Sequence, residues 1–350
     1  MNATRKDDHV RLAVAQHEDR HGDRPSTFDD VRFLHHALAG TDRDRIDLST
    51  TVAGRTWPVP LYINAMTGGT GATGRINRDL AIAARETGLP IATGSLSPYL
   101  KDPGTAETFT TVRRHHPDGF VMANLNANAT PEQARRVVGL LQADALQIHL
   151  NSVQETVMPE GDRSFGHWPA AISAIAGAVE GPVIVKEVGF GLSGRTVAHL
   201  AGLGVAAADV AGRGGTDFAR IENGRRPEGD YAYLEGWGLS TAEALLDARD
   251  SGLPLLASGG LRHPLDAVRA LALGARAVGS SGPFLTTVTA GGPDALIARI
   301  TTWIDQLTAL MTLLGAPTPA GLASCELLLT GALHDFCTRR GIHPRPGKDA

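Results

Sequence analysis

GPVIVKEVGFGLSGRTVAHLAGLGVAAADVAG, residues 181–212, contains the unit from which the rest of the chain is built. An apolar run, GPVIVKEVG (181–189), leads through a glycine-rich turn to GRTVAHLAGLG, whose apolar residues fall at helical spacing, and then to a second apolar run, VAAADVAG (205–212). Short Val/Ile runs bounded by glycine read as buried strands, and apolar residues three and four apart read as the covered face of a helix. The segment is therefore strand, loop, helix, strand. VPLYINAMTGG (59–69), LPIATGS (89–95), GFVMANL (119–125) and DALQIHLN (144–151) repeat the strand signal before it, and LPLLASGG (253–260) and ARAVGSS (275–281) repeat it after. RINRDLAIAARETG, PEQARRVVGLLQ, STAEALLDARDSG and HPLDAVRALALG supply helical spacing between them. Eight such β/α units close an α/β TIM (β/α)8 barrel without leaving an edge strand. A doubly wound open sheet is the competing arrangement of the same units.

Around the barrel, residues 1–50 read as an N-terminal extension that covers the barrel or a neighbouring subunit. Residues 51–350 read as one barrel with C-terminal helices, among them the amphipathic stretch 293–315. The connection after the sixth strand, about 213–237, is enlarged and crowded with charge and aromatics, as in an active-site loop. Of 350 residues, 42% are hydrophobic and 20% charged, enough for a large core. A near-balanced charge of -4 lacks the footprint of a protein that grips nucleic acid by its phosphates. Cys325 and Cys337 are too few for a disulfide scaffold or a structural zinc site and read as free thiols. The polar start and the absence of a long apolar run predict a cytoplasmic protein with no membrane segment. Lysine is rare: only Lys6, Lys101, Lys186 and Lys348 are present.

In a barrel of this kind the chemistry belongs at the carboxyl ends of the strands. On ALQIHLN, Gln147, His149 and Asn151 alternate with apolar residues and project to one side, and Gln154 and Glu155 follow in the loop. A lone carboxylate with amide neighbours suits magnesium, whose other positions are taken by water and phosphate oxygens. Lys186, inside a Val/Ile run, either snorkels at a barrel end or supplies a fixed cation. AGRGGT (211–216), ASGGLR (257–262) and VGSSG (278–282) end the last three strands in glycines that let backbone N–H groups approach phosphate oxygens. NAMTGGTG adds a glycine-rich end to the first strand. A flavin mononucleotide matches these parts.

Arg5-Lys6 with His9, Ala65-Met66-Thr67-Gly68-Gly69, QIHLN followed by QE and PEGD, VIVKEVGFG, AGRGGTDFARIE and ASGGLRHPLDAVRALALGA together resemble the type 2 isopentenyl-diphosphate Δ-isomerases, over nearly the whole chain. The resemblance implies interconversion of isopentenyl diphosphate and dimethylallyl diphosphate in isoprenoid synthesis, by a homo-oligomer that uses reduced FMN, Mg2+ and a reductant such as NADPH. It implies that Glu155 holds the metal, that His149, Asn151, Gln154 and Lys186 form the catalytic centre, and that Arg5 and Lys6 bind the diphosphate. Ala65, Met66, Thr67, Ser95, Asn124, Lys186 and Thr216 correspond to flavin contacts, and Gly259, Gly260, Arg262, Ser281 and Gly282 to its phosphate site. The chain departs from the family where the second strand ends. Many members carry GSQR there, with an arginine on the diphosphate, whereas this chain has Gly94-Ser95-Leu96-Ser97. Ser95, Leu96 and Ser97 are then the substrate-side residues, with Arg5, Lys6 and the metal left to supply charge, and Lys101 either adding to it or standing as a solvated loop residue. A flavin oxidoreductase on the same barrel, an isomerase of a related allylic diphosphate and a non-catalytic metabolite-binding barrel are the alternatives.

Overall fold

A computed structural model describes residues 2–18 and 26–343, with side chains from residue 6 onward. Each of the eight apolar runs forms a strand: β1 Leu61–Ile63, β2 Ile91–Ala92, β3 Val121–Asn126, β4 Ala145–His149, β5 Val183–Lys186, β6 Ala207–Asp209, β7 Leu255–Ser258 and β8 Ala275–Ser280. They pair in parallel in chain order, and β8 pairs with β1, so the sheet is a closed barrel. An open doubly wound sheet is thereby excluded.

Local chemistry starts the helices where the sequence changes period. Thr130 accepts from the Gln133 backbone N–H while the Gln133 side chain returns to the Thr130 backbone, a reciprocal cap that opens the helix Pro131–Leu141. Ser240 and Glu243 make the same box at the helix Thr241–Ala248. The C-terminal stretch is helical up to Leu314, joined across a kink at Gly292 (φ 69) to a helix that begins at Gly282. Its Leu296, Ile300, Trp303, Leu307 and Met311 are buried.

The lower barrel interior is filled by alternation. Tyr62, Met122, Ile184 and Leu256 point inward from the odd strands, and Ala92, Ala145, Ala207 and Ala277 from the even ones, in a single buried cluster. Four bulky side chains interleave with four methyl groups to form the layer. A hairpin, Thr50–Val52 with Arg55–Trp57, closes the amino-terminal end. Trp57 packs at a tilt against Tyr62 at 5.6 Å and Phe120 at 5.3 Å between ring centroids.

The extension folds back on its own barrel. Val31–Phe33 pairs antiparallel with Leu327–Leu329, and Phe28 and Val31 are buried in the main core. The helix Asn2–Glu18 reaches the opposite, carboxyl end, where Gln16 exchanges two hydrogen bonds of 3.0 Å with the Asp217 backbone. The expected boundary at residue 50 falls at the first residue of the hairpin. Among the described residues, no helix is long and apolar enough to cross a membrane.

Trp57 is 1% exposed, so Trp57→Ala empties the barrel floor and is expected to cost about 3–5 kcal/mol. Urea denaturation checks this, and an unchanged midpoint would contradict the packing described.

Candidate active site

One layer above the apolar floor, the inward positions turn polar. Asn64 follows β1, and Asn124, Gln147, His149, Lys186, Asp209 and Ser258 come from β3 to β7. Asp209, with 0% exposure, accepts from Tyr62 Oη at 2.7 Å, Asn64 Nδ2 at 2.9 Å, Ser258 Oγ at 2.8 Å and the Ala211 backbone N–H at 3.1 Å. From Asn64 the chain continues around the barrel. Gln147 Nε2 donates to Asn64 Oδ1 at 3.3 Å, and Asn124 Nδ2 donates to Gln147 Oε1 at 2.8 Å. Asn124 Oδ1 is left to accept from His149 Nδ1 at 2.8 Å. That bond fixes the proton on Nδ1 and makes Nε2 the acceptor of the ring. Burial, with the Lys186 and Lys6 cations nearby, pushes the His149 pKa down to about 3. In β-sheet register, Lys186 lies between His149 and Asp209.

The wall after β4 is the short helix Ser152–Val157. Asn151 Nδ2 donates to Gln154 Oε1 at 3.3 Å and Glu155 Oε1 at 3.0 Å, and the Asp162 backbone N–H donates to Glu155 Oε2 at 2.8 Å. Asn151 Oδ1 is buried without a hydrogen-bond partner, next to a carboxylate. Gln154 Nε2 donates to Glu222 Oε1 at 2.8 Å. Glu222 lies on Phe218–Asn223 in the enlarged loop and also meets His9 Nε2 at 3.0 Å and Arg225. Burial pushes its pKa up, but bonds from His9, Gln154 and Arg225 outweigh burial and hold it at about 2. Sequence reasoning missed Glu222, Asn64 and Asp209. The loop's charge density and the FARIE stretch were the signal for Glu222, and for Asp209 the signal was one acid inside an apolar run.

The opposite wall is built from backbone. A Cβ on Gly259 (φ 91) would sit 2.1 Å from the Gly212 carbonyl oxygen, and one on Gly215 would sit 2.9 Å from the Gly260 nitrogen. The two loops can meet only as glycines. Ser281 precedes the helix that begins at Gly282, whose free N–H groups lie on the same side of the cavity. Glycine loops with a helix N-terminus are a cradle for a phosphate group. Thr67 and Ser280 line the cavity, and their hydroxyls are buried without hydrogen-bond partners.

One cavity of about 1360 Å³ joins both walls, and Lys6, Ala65, Met66, Thr67, Ser95, Ser97, Asn124, His149, Asn151, Gln154, Glu155, Lys186, Thr216, Gly259, Gly260, Ser281 and Gly282 all line it. Two expectations are corrected. Leu96 is 0% exposed and packs in the main apolar core, so its side chain offers nothing to a substrate. Arg262 borders the cavity, but its guanidinium is bound to Asp29 at 2.6 and 2.8 Å and to Asp266 at 2.8 Å, so its charge is met by the extension and a buried acid. The Arg5 side chain lies outside the described residues. Among the described residues, no three His, Cys, Asp or Glu side chains gather as a metal cage.

Fold and site together define a flavin-binding (β/α)8 enzyme, and the FMN-dependent dehydrogenase family model matches residues 105–327. Over 344 residues the chain is 64% identical to the isopentenyl-diphosphate delta-isomerase of Streptomyces sp. (strain CL190), covering 98% of this chain and 94% of that one. The enzyme of the same name from Kitasatospora griseola is 64% identical, covering 97% and 93%, and that from Staphylococcus aureus (strain JH9) is 43% identical, covering 98% of each. The chain belongs to the type 2, FMN-dependent isopentenyl-diphosphate Δ-isomerases. A solved mandelate oxidase (TM-score 0.61, 17% identity, 93% of this chain and 91% of that one) and a flavocytochrome b2 mutant (0.63, 19%, 93% and 84%) share its fold.

A native pKa of about 3 against an ordinary 6.5 means that unfolding takes up a proton at His149 between those values. The neutral ring therefore contributes stability above pH 6.5 that is lost as pH falls toward 3. NMR of the ring carbons is expected to be flat over roughly pH 5 to 8, the window in which an ordinary histidine titrates. A midpoint near 6.5 would contradict the burial described.

Proposed function

We propose that the protein interconverts isopentenyl diphosphate and dimethylallyl diphosphate, with FMN held reduced, Mg2+ on Glu155 and NADPH as the source of reducing equivalents. The observation that carries this reading is the continuity of the cavity. At about 1360 Å³ it exceeds the roughly 300–1,000 Å³ of an ordinary single-ligand pocket, and it runs from the glycine cradle to Glu155. A flavin mononucleotide and a short diphosphate fit side by side.

The residues divide the work. The glycine cradle and Ser281-Gly282 would take the flavin phosphate, with Thr67 and Ser280 hydroxyls free to donate. Lys186 would place a cation beside the ring. Glu155, held by the Asn151 amide, would offer its carboxylate to a hard cation that keeps its water and phosphate ligands. Lys6 and Arg5 on the N-terminal helix would hold the diphosphate, and Lys101, which lines the cavity four residues beyond Ser97 and makes no ion pair among the described residues, would add charge where Ser97 cannot.

Protonating the terminal alkene gives a tertiary cation, and loss of a proton from C2 gives the isomer. When bound in this cavity, reduced flavin would supply an electron-rich face for that positive charge and an acid–base atom at N5. Gln154, tied to Glu222 and Asn151, is held in one orientation and positions the alkene end, since an amide does not transfer the proton unaided. Lys6, His9, Val10 and Ala13 of the N-terminal helix line the cavity and exclude water that would quench the cation.

Anaerobic incubation of photoreduced holoenzyme with isopentenyl diphosphate and Mg2+ is expected to give dimethylallyl diphosphate over many turnovers per flavin. No product, or oxidation of one flavin per product as in an oxidoreductase, would defeat the reading. Glu155→Gln is expected to keep FMN, as read by its absorbance, while the KM for substrate rises by about tenfold or more and the Mg2+ requirement shifts to higher concentration, the loss of at least ~1.4 kcal/mol of binding. Unchanged Mg2+ dependence would remove Glu155 from the metal site.

A further inference from the structure

A lysine ammonium sealed inside a barrel loses its hydration, which favours the neutral amine. Lys186 is 6% exposed, and its Nζ donates to the Glu187 carbonyl oxygen at 2.5 Å. One carbonyl dipole does not repay the burial of a full charge. Directly across the β5–β6 ladder stands Asp209. Tyr62, Asn64, Ser258 and the Ala211 amide all donate to it. Four donors on one buried carboxylate meet the lone pairs of both its oxygens.

We propose that Asp209 is the counter-ion that holds Lys186 as a cation inside the barrel, and that it thereby sets the charge met by the flavin ring. Asp209 acts through the lysine and is a positioning residue. Only the second half of the proposal rests on the flavin reading given above. The competing partner is Glu187. Its Oε2 is turned into the loop, where it accepts the backbone N–H groups of Val188 at 2.6 Å, Gly189 at 2.7 Å and Phe190 at 2.5 Å. Burial pushes its pKa up to about 7 against the pull of those N–H groups and of Lys186, so the carboxylate is committed to the loop backbone. The other titratable groups around the lysine leave Asp209 in that role. His149, in register on β4, is held neutral, with Lys6 of the N-terminal helix adding to that effect. Burial and Asp209 raise the Tyr62 pKa well above its usual value, so Tyr62 remains a phenol and donates.

The chain has four lysines, so Cε- and Nζ-labelled lysine gives a spectrum simple enough to follow one residue, with Lys186→Met assigning its signal. In the FMN-loaded protein Lys186 is expected to remain cationic over roughly pH 6 to 9. In Asp209→Asn its midpoint is expected to fall by about two pH units, within the range that burial of a lysine produces. The flavin midpoint potential should gain a step at that same pH, and adding Lys186→Met should abolish the step. Glu187→Gln is the control and should leave the lysine titration in place. A neutral Lys186 at pH 7 in the wild type, or a wild-type titration in Asp209→Asn, would overturn the proposal. If Asp209→Asn does not fold, Glu187→Gln decides: a two-unit fall there would make Glu187 the counter-ion, and an unmoved lysine supports Asp209. A protein that takes up no FMN would sink the flavin reading and leave the lysine measurement standing.

Discussion

Burying a carboxylate costs several kcal/mol unless its lone pairs find donors, and the upper half of this barrel is arranged around meeting that condition for Asp209. The donors come from three directions: Tyr62 and Asn64 from β1, Ser258 from β7, and the amide of Ala211 just past β6. Asn64 is then committed, and through Gln147 and Asn124 so is the tautomer of His149. One buried carboxylate on β6 thus orients side chains from β1, β3, β4 and β7 before any cofactor binds. Networks of this kind are stable only when each member is satisfied. The orphaned Thr67, Ser280 and Asn151 atoms lie along the cavity walls.

The division of the barrel into a dry floor and a polar upper layer follows from two alternations. Along each strand, successive residues point in and out. Around the barrel, large and small inward residues alternate, so that Tyr62 can lean over Gly279, where a Cβ would meet its ring at 2.4 Å. That close approach delivers the phenol to Asp209, and the floor and the polar layer are therefore one construction. The N-terminal helix completes the site from above through His9 on Glu222 and Gln16 on Asp217.

The sequence made legible what depends on local pattern. Eight apolar runs became eight strands, the glycine-ended loops became the cradle, and His149, Asn151, Gln154, Glu155 and Lys186 meet in one cavity as their positions at strand ends required. Partnerships across long separations stayed hidden. Asp209 and Tyr62 are 147 residues apart, and Arg262 and Asp29 are 233 apart. Arg262 in a glycine-rich phosphate loop reads as an anion ligand until the extension is seen to bring Asp29 to it. Leu96 shows the opposite error: a motif position was read as site, whereas an apolar side chain beside a cavity turns toward the nearest core. Glu222 lay within a quoted motif, but nothing in its neighbours shows that Gln154 and His9 would converge on it.

The positions of the bound ligands test these residue roles most directly. A crystal structure of the anaerobic complex with reduced FMN, Mg2+ and isopentenyl diphosphate is predicted to show the flavin phosphate on Gly259, Gly260, Ser281 and Gly282, Lys186 at the ring, and Mg2+ joining Glu155 to the diphosphate. A flavin phosphate bound elsewhere, or a metal without Glu155, would contradict them.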